Sequence, residues 1–231
     1  MKNKVLITGV SGGIGAALTS ILIKQNYEVI GIDIKKPSIS GIQFYKCDLS
    51  NISEIETFIN NEVPLWINEL ESIIHLAGVY PNKNLIDYSS ELWDTVYTVN
   101  VKSIFILVKN IIKLRAPLLE SIVLVSSTAS LSGSNDPAYT SSKSALNGLT
   151  KNLSLSLAKY NIRVNTVLPG IIDTPMSEVQ SNERKDFHVS NTLAKYIGKP
   201  EEVANVIEFL ISKKSSYLWG SSINVNGGMT L

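Results

Sequence analysis

The sequence has 231 residues, of which 44% are hydrophobic and 18% are charged, as in a globular protein large enough to bury one substantial core. Its formal net charge is +1 and its charged residues form no long runs, so neither a nucleic-acid footprint nor a patch for an anionic membrane is indicated. One cysteine, Cys47, and two histidines, His75 and His188, exclude an internal disulfide and a Cys/His metal cluster. This cysteine usage predicts a reducing, cytoplasmic location.

The N-terminal region predicts a βαβ unit that binds a dinucleotide. Val5–Ile7 is an apolar strand, Ala16–Lys24 has helical periodicity and Tyr27–Asp33 is a second strand, with T-G-V-S-G-G-I-G between the first strand and the helix. Glycines allow a tight turn in which backbone N–H groups approach a pyrophosphate, and the helix N-terminus favours its negative charge. We predict cofactor contacts from the turn residues Gly9, Ser11, Gly13, Ile14 and Gly15.

Two other interpretations of this region are weaker. Lys2 and Lys4 precede an apolar stretch that reaches small residues at Ala16, as in a signal peptide, but its four glycines suit a turn better than an export helix. G-V-S-G-G also matches the G-x-S-x-G elbow of hydrolases, with Asp173 and His188 following in the required order. An elbow on the first strand would have no sheet before it. No other stretch approaches the roughly 18 apolar residues of a membrane span.

The rest of the chain continues to alternate between strand and helix patterns. The predicted strands are Phe44–Cys47, Ser72–Leu76, Ile122–Val125, Arg163–Leu168 and Ile223–Val225. The predicted helices are Ser53–Ile59, Ser90–Tyr97, Val101–Leu114, Tyr139–Lys159 and Pro200–Lys213. This alternation predicts an α/β fold, a Rossmann-type doubly wound parallel sheet with helices on both faces, as one domain over residues 1–231. The least periodic stretch, 171–199, is predicted to be a mobile loop over the substrate.

Ser126 to Lys143 carries the strongest chemical signal. The strand Ile122–Val125 leads through Ser126 and Ser127 to a helix on which Tyr139 and Lys143 are four residues apart, so both lie on one face. A nearby ammonium lowers the pKa of a phenol and makes it a better acid at neutral pH, and a serine hydroxyl would bind the same substrate oxygen. The implied substrate is a carbonyl or an alcohol. With nine tyrosines and eighteen lysines in the chain, the pair by itself is not specific.

With these motifs in order, the sequence resembles the short-chain dehydrogenase/reductase family, in its compact one-domain branch. It is similar to the branch's 3-oxoacyl carrier-protein reductase-like and alcohol or polyol dehydrogenase-like members. The matching segments are Thr8–Gly15, Asp48-Leu49, Val99-Asn100, the set Ser127, Tyr139 and Lys143, Pro169-Gly170 with Thr174, and Ile223–Gly228.

The resemblance implies an oxidoreductase that transfers hydride between a nicotinamide cofactor and a secondary alcohol or ketone. Tyr139 would be the general acid and base, Ser127 would polarise the substrate oxygen, Lys143 would lower the tyrosine pKa and hold the nicotinamide ribose, and Asn100 would support a proton path. Beyond the glycine turn, the implied cofactor contacts are Asp33, Asp48, Leu49, Ala77, Gly78, Tyr139, Lys143, Pro169, Gly170, Ile172 and Thr174. No metal is implied. The family usually forms dimers or tetramers, which predicts a homo-oligomer through the helices Val101–Leu114 and Tyr139–Lys159.

Two features depart from the family pattern. His75-Leu76-Ala77-Gly78 replaces the usual Asn-Asn-Ala-Gly and is similar to sugar-nucleotide epimerases, although 231 residues leave little room for their C-terminal substrate region. We interpret His75 as a strand-end or core histidine. The Ser127–Tyr139 interval is one residue shorter than a frequent spacing, which Ser126 would restore, but Ser127 is preferred as the second residue of the pair. A non-catalytic cofactor sensor remains an alternative, although such proteins usually lack the intact Ser/Tyr/Lys set.

The residue at the end of the second strand predicts the coenzyme. The Asp33 carboxylate can accept hydrogen bonds from both ribose hydroxyls, whereas a 2′-phosphate would meet a like charge. NAD is therefore the preferred cofactor. NADP stays possible because Lys35 and Lys36 follow and could neutralise a phosphate. The predicted partner is a small alcohol or ketone, with no nucleic acid and no membrane.

Overall fold

The computed structural model describes residues 3–230, so Lys2 of the signal-peptide alternative lies outside the described residues. One sheet contains seven strands in the order β3-β2-β1-β4-β5-β6-β7, and every neighbouring pair is parallel. The strands are β1 (Lys4–Thr8), β2 (Glu28–Asp33), β3 (Gln43–Lys46), β4 (Leu70–His75), β5 (Ser121–Val125), β6 (Arg163–Pro169) and β7 (Ser222–Val225). The predicted doubly wound parallel sheet is confirmed.

Helices cover both faces of this sheet. The α-helices are α1 (Gly13–Lys24), α2 (Ile52–Asn61), α3 (Ser90–Tyr97), α4 (Ser103–Lys113), α5 (Ala129–Ser132), α6 (Pro137–Leu157), α7 (Asn182–Asn191) and α8 (Pro200–Ile211). Side chains of α2, α4 and α6 share one buried core with the sheet, and side chains of α1 and α8 share the core on the other face. Both β5 and β6 are buried along their whole length, which explains the continuous apolar run Ile122–Val125 of β5.

The sheet order places a ligand site at one edge. The connections run outward in opposite directions from β1 and β4, which are neighbours in the sheet. In such sheets the crevice at the carboxyl ends of the strands, where the order reverses, is the usual place for a ligand. Thr8, His75, Val125 and Pro169 end the four strands around this crevice.

The prediction for residues 171–199 was partly wrong, because this segment is not simply a loop. It contains a short 3-10 turn, Pro175–Ser177, and the ten-residue helix α7. No residue of α7 is buried, so the helix has no apolar stripe from which its periodicity could be recognised. Its start is marked instead by Ser181, whose hydroxyl accepts the N–H of Arg184. Closure of this segment over the crevice stays a prediction.

One helical stretch contradicts the expectation that no other segment has the length and apolar composition of a membrane span. Ser90–Lys113, which joins α3, a π-helical turn and α4, is long and apolar enough by composition to cross a membrane. Its apolar side chains are explained by the fold, because Ile104, Leu107 and Ile111 are fully buried in the core shared with α2 and α6.

Candidate active site

A cleft of about 230 Å³ opens at the carboxyl edge of the sheet. It brings together most of the predicted site residues: Gly9, Gly13, Ile14, Gly15, Ser127, Tyr139, Lys143, Pro169, Gly170, Ile172 and Thr174. These residues come from the ends of the three strands β1, β5 and β6, from α6 and from the segment after β6. The remaining predicted residues, Ser11, Asp33, Asp48, Leu49, Ala77, Gly78 and Asn100, lie outside the cleft lining.

The glycine turn between β1 and α1 forms one end of the cleft. Gly9 has a φ of +74°, and an added Cβ there would lie 2.6 Å from the amide nitrogen of Ala77, so no other residue fits. At Gly13 an added Cβ would lie 2.6 Å from the Thr174 side chain. α1 begins after Gly12 without a side-chain cap, which leaves N–H groups of its first turn free to bind an anion. These residues fit the pyrophosphate of a dinucleotide.

Asp33 lies beside this turn at the end of β2. Its carboxylate accepts the N–H of Ser11 at 3.0 Å and the N–H of Lys35 at 3.1 Å. Each of its oxygens therefore keeps further acceptor capacity for a hydroxyl. The side chains of Lys35 and Lys36 are exposed.

Two other predicted cofactor residues lie after the edge strand β3. Asp48 accepts the N–H and the hydroxyl of Ser50 at 2.8 and 2.7 Å, and Leu49 is buried in the core. In this structure their side chains stabilise the loop and the core and do not face the cleft.

The first turn of α6 presents the tyrosine. Asp136 caps the helix by accepting the N–H of Tyr139 at 2.9 Å, and it also accepts the hydroxyl of Tyr88 at 2.8 Å. The Ser127 hydroxyl lies close enough to the Tyr139 phenol to lower its pKa. The hydroxyl of Ser126 instead donates to the backbone carbonyl of Lys143 at 2.7 Å. Of the two serines that line the cleft, Ser127 is the one whose hydroxyl acts on the pKa of the phenol.

The expected effect of Lys143 on the phenol is not present in this structure. Burial raises the pKa of Tyr139 to about 12, and the neighbouring Ser127 hydroxyl offsets this only in part. The Lys143 Nζ lies 5.6 Å from the centre of the tyrosine ring and donates to the carbonyl of Val125 at 2.8 Å. Because the ammonium is itself buried, its own pKa is lowered to about 8. For the pKa of Tyr139, the increase caused by burial therefore outweighs any decrease caused by the charge of Lys143.

A buried histidine supports the turn that carries Asn100. The Asn100 side chain accepts the N–H of Val79 at 2.8 Å and donates to the Ser142 hydroxyl at 2.9 Å. His75 bonds the Thr8 hydroxyl through Nδ1 at 2.7 Å and the Asn100 carbonyl through Nε2 at 3.1 Å. Burial and the Lys143 charge lower the pKa of His75 to about 3, so the imidazole is neutral near pH 7. A neutral imidazole carries one N–H, and a carbonyl oxygen can only accept, so Nε2 carries the proton and donates to the Asn100 carbonyl. Nδ1 therefore accepts from the Thr8 hydroxyl.

The substrate side of the cleft contains residues that the sequence did not single out. The Tyr80 ring lies 4.8 Å from the Tyr139 ring, and Gln180, Arg184 and His188 line the cleft from α7 and the segment before it. Spacing along the chain relates none of them to Tyr139. Tyr80 follows the predicted Ala77-Gly78 segment closely, and that was the only signal available.

The hydrolase alternative is not supported by the position of its serine. The Ser11 hydroxyl donates to the carbonyl of Lys35 at 2.5 Å, on the outer side of the glycine turn. His188 instead contacts the Met229 sulfur through Nδ1 at 3.3 Å, so it is not placed as the base for Ser11.

Comparisons with known proteins identify the family of the chain. Residues 9–230 match the family model described as enoyl-(acyl carrier protein) reductase. A 3-oxoacyl-[acyl-carrier-protein] reductase of Buchnera aphidicola is 33% identical over 238 residues, covering 99% of this chain and 97% of the relative. A short chain dehydrogenase family protein of Francisella tularensis is 31% identical with a TM-score of 0.88, covering 99% of both chains. A 4-hydroxyisoleucine dehydrogenase complexed with NADH is 27% identical, with a TM-score of 0.92 and 99% of both chains covered.

Proposed function

Because the chain belongs to the short-chain dehydrogenase/reductase family of oxidoreductases, we propose that it interconverts a secondary alcohol and a ketone with a nicotinamide coenzyme. One observation carries the proposal. Ser127, Tyr139 and Lys143 line the same cleft as an uncapped, glycine-rich helix start. A proton donor for a carbonyl oxygen and a cradle for a dinucleotide are thus side by side.

Each polar group of the chain has a separate task in this reaction. Bound in the cleft, the nicotinamide supplies or accepts the hydride. Tyr139 donates its phenolic proton to the carbonyl oxygen during reduction and takes it back during oxidation. Ser127 hydrogen-bonds the same oxygen and stabilises the charge that develops on it. Lys143 would hold the ribose of the nicotinamide, and Asn100 fixes the backbone at Val79 beside the cleft.

The first test is a screen of the purified protein against pooled ketones and secondary alcohols. Each pool is incubated with NADH, NADPH, NAD or NADP, and products are identified by mass spectrometry as compounds that gain or lose two hydrogens. We expect turnover of at least one pool. A protein that binds coenzyme and turns over no pool would be a sensor, and an altered stereocentre without net redox change would support the epimerase alternative.

We propose NAD as the preferred coenzyme, with NADP possible, on the position of Asp33. Asp33→Ser removes the charge and keeps a small polar group, so we expect the ratio of kcat/KM for NADH to that for NADPH to fall about tenfold, or ~1.4 kcal/mol. Lys35→Ser is the matched control at the neighbouring turn and should leave NADH use unchanged. A higher kcat/KM for NADPH than for NADH in the unaltered protein would contradict the proposal and indicate that Lys35 and Lys36 neutralise the phosphate.

We also propose a homo-oligomer, a dimer or tetramer, in a reducing cytoplasm. The two helices implicated by the sequence expose large apolar side chains, with Phe105 on α4 46% exposed and Leu155 on α6 83% exposed. Light scattering should therefore give a mass of two or four chains, and a mass of 25.3 kDa would disprove the assembly.

Cys47 is a free, buried cysteine, which suits a reducing compartment.

A further inference from the structure

We propose that the substrate is a short oxo or hydroxy acid whose carboxylate is bound by Arg184. This inference rests on the proposed function and specifies its substrate class. It depends on the charge, the unused hydrogen-bonding groups and the dimensions of the cleft beside Tyr139.

Arg184 has no partner among the described residues that would explain its position. It is only partly exposed and lines the cleft. Within residues 3–230 its guanidinium makes no hydrogen bond and has no carboxylate within 4 Å, since the ion pairs there are those of Lys4 with Glu28 and Glu69. A guanidinium has five N–H donors and loses solvation in a cleft, so an unpaired one favours an incoming anion.

The position of Arg184 in its helix is also unfavourable for a cation without an anionic partner. It lies in the first turn of α7, where the helix dipole disfavours a cation. By contrast Arg163, another of the three arginines, is satisfied by backbone carbonyls of Leu210, Ser212 and Ser215. Structural stability therefore explains Arg163 but not Arg184.

The size of the cleft shared by Arg184 and Tyr139 indicates a short substrate. The Arg184 charge is near enough to Tyr80 to act on the pKa of its hydroxyl, and the Tyr80 ring lies 4.8 Å from the Tyr139 ring. A carboxylate held by Arg184 and a carbonyl held at Tyr139 would therefore lie in one cleft of about 230 Å³, part of which the nicotinamide would fill. This volume leaves room for a short acid, with its oxo group at carbon 2, 3 or 4.

Neighbouring groups are consistent with one negative charge on the substrate. His188, one helical turn after Arg184, has its pKa lowered by burial and by the Arg184 charge, so it adds no second cation near pH 7. One guanidinium matches a carboxylate better than a doubly charged phosphate. Gln180 lines the same cleft, and its Oε1 is buried without a hydrogen-bond partner among the described residues, so a hydrogen-bond donor that reached this oxygen would satisfy it.

The test compares matched acids and amides. We would measure kcat/KM for 2-oxo and 3-oxo acids of four and five carbons, and for their primary amides, with the unaltered protein, Arg184→Met and Lys185→Met. Methionine keeps an unbranched apolar side chain without charge. Lys185→Met removes the same charge from the same helix at a residue that does not line the cleft.

We expect the unaltered protein and Lys185→Met to prefer the acid over its amide at least tenfold. In Arg184→Met the preference should fall to near one, through loss of efficiency with the acid, while the amide is used as before. An equal loss for acid and amide would show a structural role for Arg184 and overturn the inference. If the unaltered protein does not prefer the acid over the amide, the inference is also overturned, although the proposed ketone reduction would then stand.

A binding measurement distinguishes failure of the proposed anion site from failure of the proposed ketone reduction. 3-Oxobutanoate is titrated calorimetrically into each protein saturated with oxidised coenzyme, a mixture in which no reduction can occur. Binding that weakens at least tenfold in Arg184→Met and not in Lys185→Met supports the anion site, even if the screen finds no turnover. Binding that is absent or equal in all three proteins overturns it.

Discussion

Tyr139→Phe is expected to lower turnover at least about a hundredfold while coenzyme binding and the fold are retained. The substitution removes one hydroxyl and keeps the ring that packs 4.8 Å from Tyr80. Without the phenol, the remaining donor to the substrate oxygen is Ser127, which can polarise the carbonyl but is too weak an acid to protonate it efficiently near pH 7. The measurement is single-turnover reduction of the best ketone from the screen, with coenzyme affinity determined by fluorescence titration.

The matched control for this variant is Tyr160→Phe. Tyr160 follows the C-terminal end of α6, is 54% exposed and lies outside the cleft, so its hydroxyl should have no effect on turnover. Near-normal turnover in Tyr139→Phe would disprove the assignment of the general acid. Equal losses in both variants would indicate a general effect on the protein and not proton transfer.

Acid should destabilise the unaltered protein more than a His75→Asn variant, by about 2 kcal/mol between pH 7 and pH 5. The pKa of His75 is about 3 in the folded protein against an ordinary value of 6.5, so below pH 6.5 the unfolded state binds a proton that the folded state excludes. Folding stability is therefore complete above pH 6.5 and is lost as the pH falls toward 3. At pH 5 the difference covers about 1.5 pH units at 1.36 kcal/mol each, or about 2 kcal/mol.

Urea unfolding at pH 7 and pH 5 measures this difference. His75→Asn loses the bonds to Thr8 and Asn100 and should be less stable at both pH values, but its free energy of unfolding should change less between them. His188, whose pKa is also lowered, is present in both proteins, so its contribution cancels. The same change with pH in both proteins would show that His75 does not titrate in this range.

Local patterns in the sequence determined the architecture. The continuous apolar strands, the glycine turn and the alternation with helices predicted the parallel sheet, because burial on both faces and tight turns impose these patterns wherever they occur. The spacing of Tyr139 and Lys143 likewise predicted a shared helix face. The positions of Gly9, Gly13 and Gly15 were predictable from the spacing of the glycine turn. The structure gives the physical reason at two of them, because close contacts with Ala77 and Thr174 leave no room for a side chain at Gly9 and Gly13.

Only the tertiary structure decided the electrostatics and the substrate side of the cleft. The pKa of Tyr139 is set by burial, which depends on packing from the whole fold, and not by the lysine four residues away. Ser127 was distinguished from Ser126 by a backbone carbonyl of α6 that occupies the Ser126 hydroxyl. Tyr80 and Arg184 are more than a hundred residues apart, and no local pattern relates them. Their meeting in one cleft follows from β4 and β6 ending at the same edge of the sheet, because parallel strands bring distant segments to their carboxyl ends.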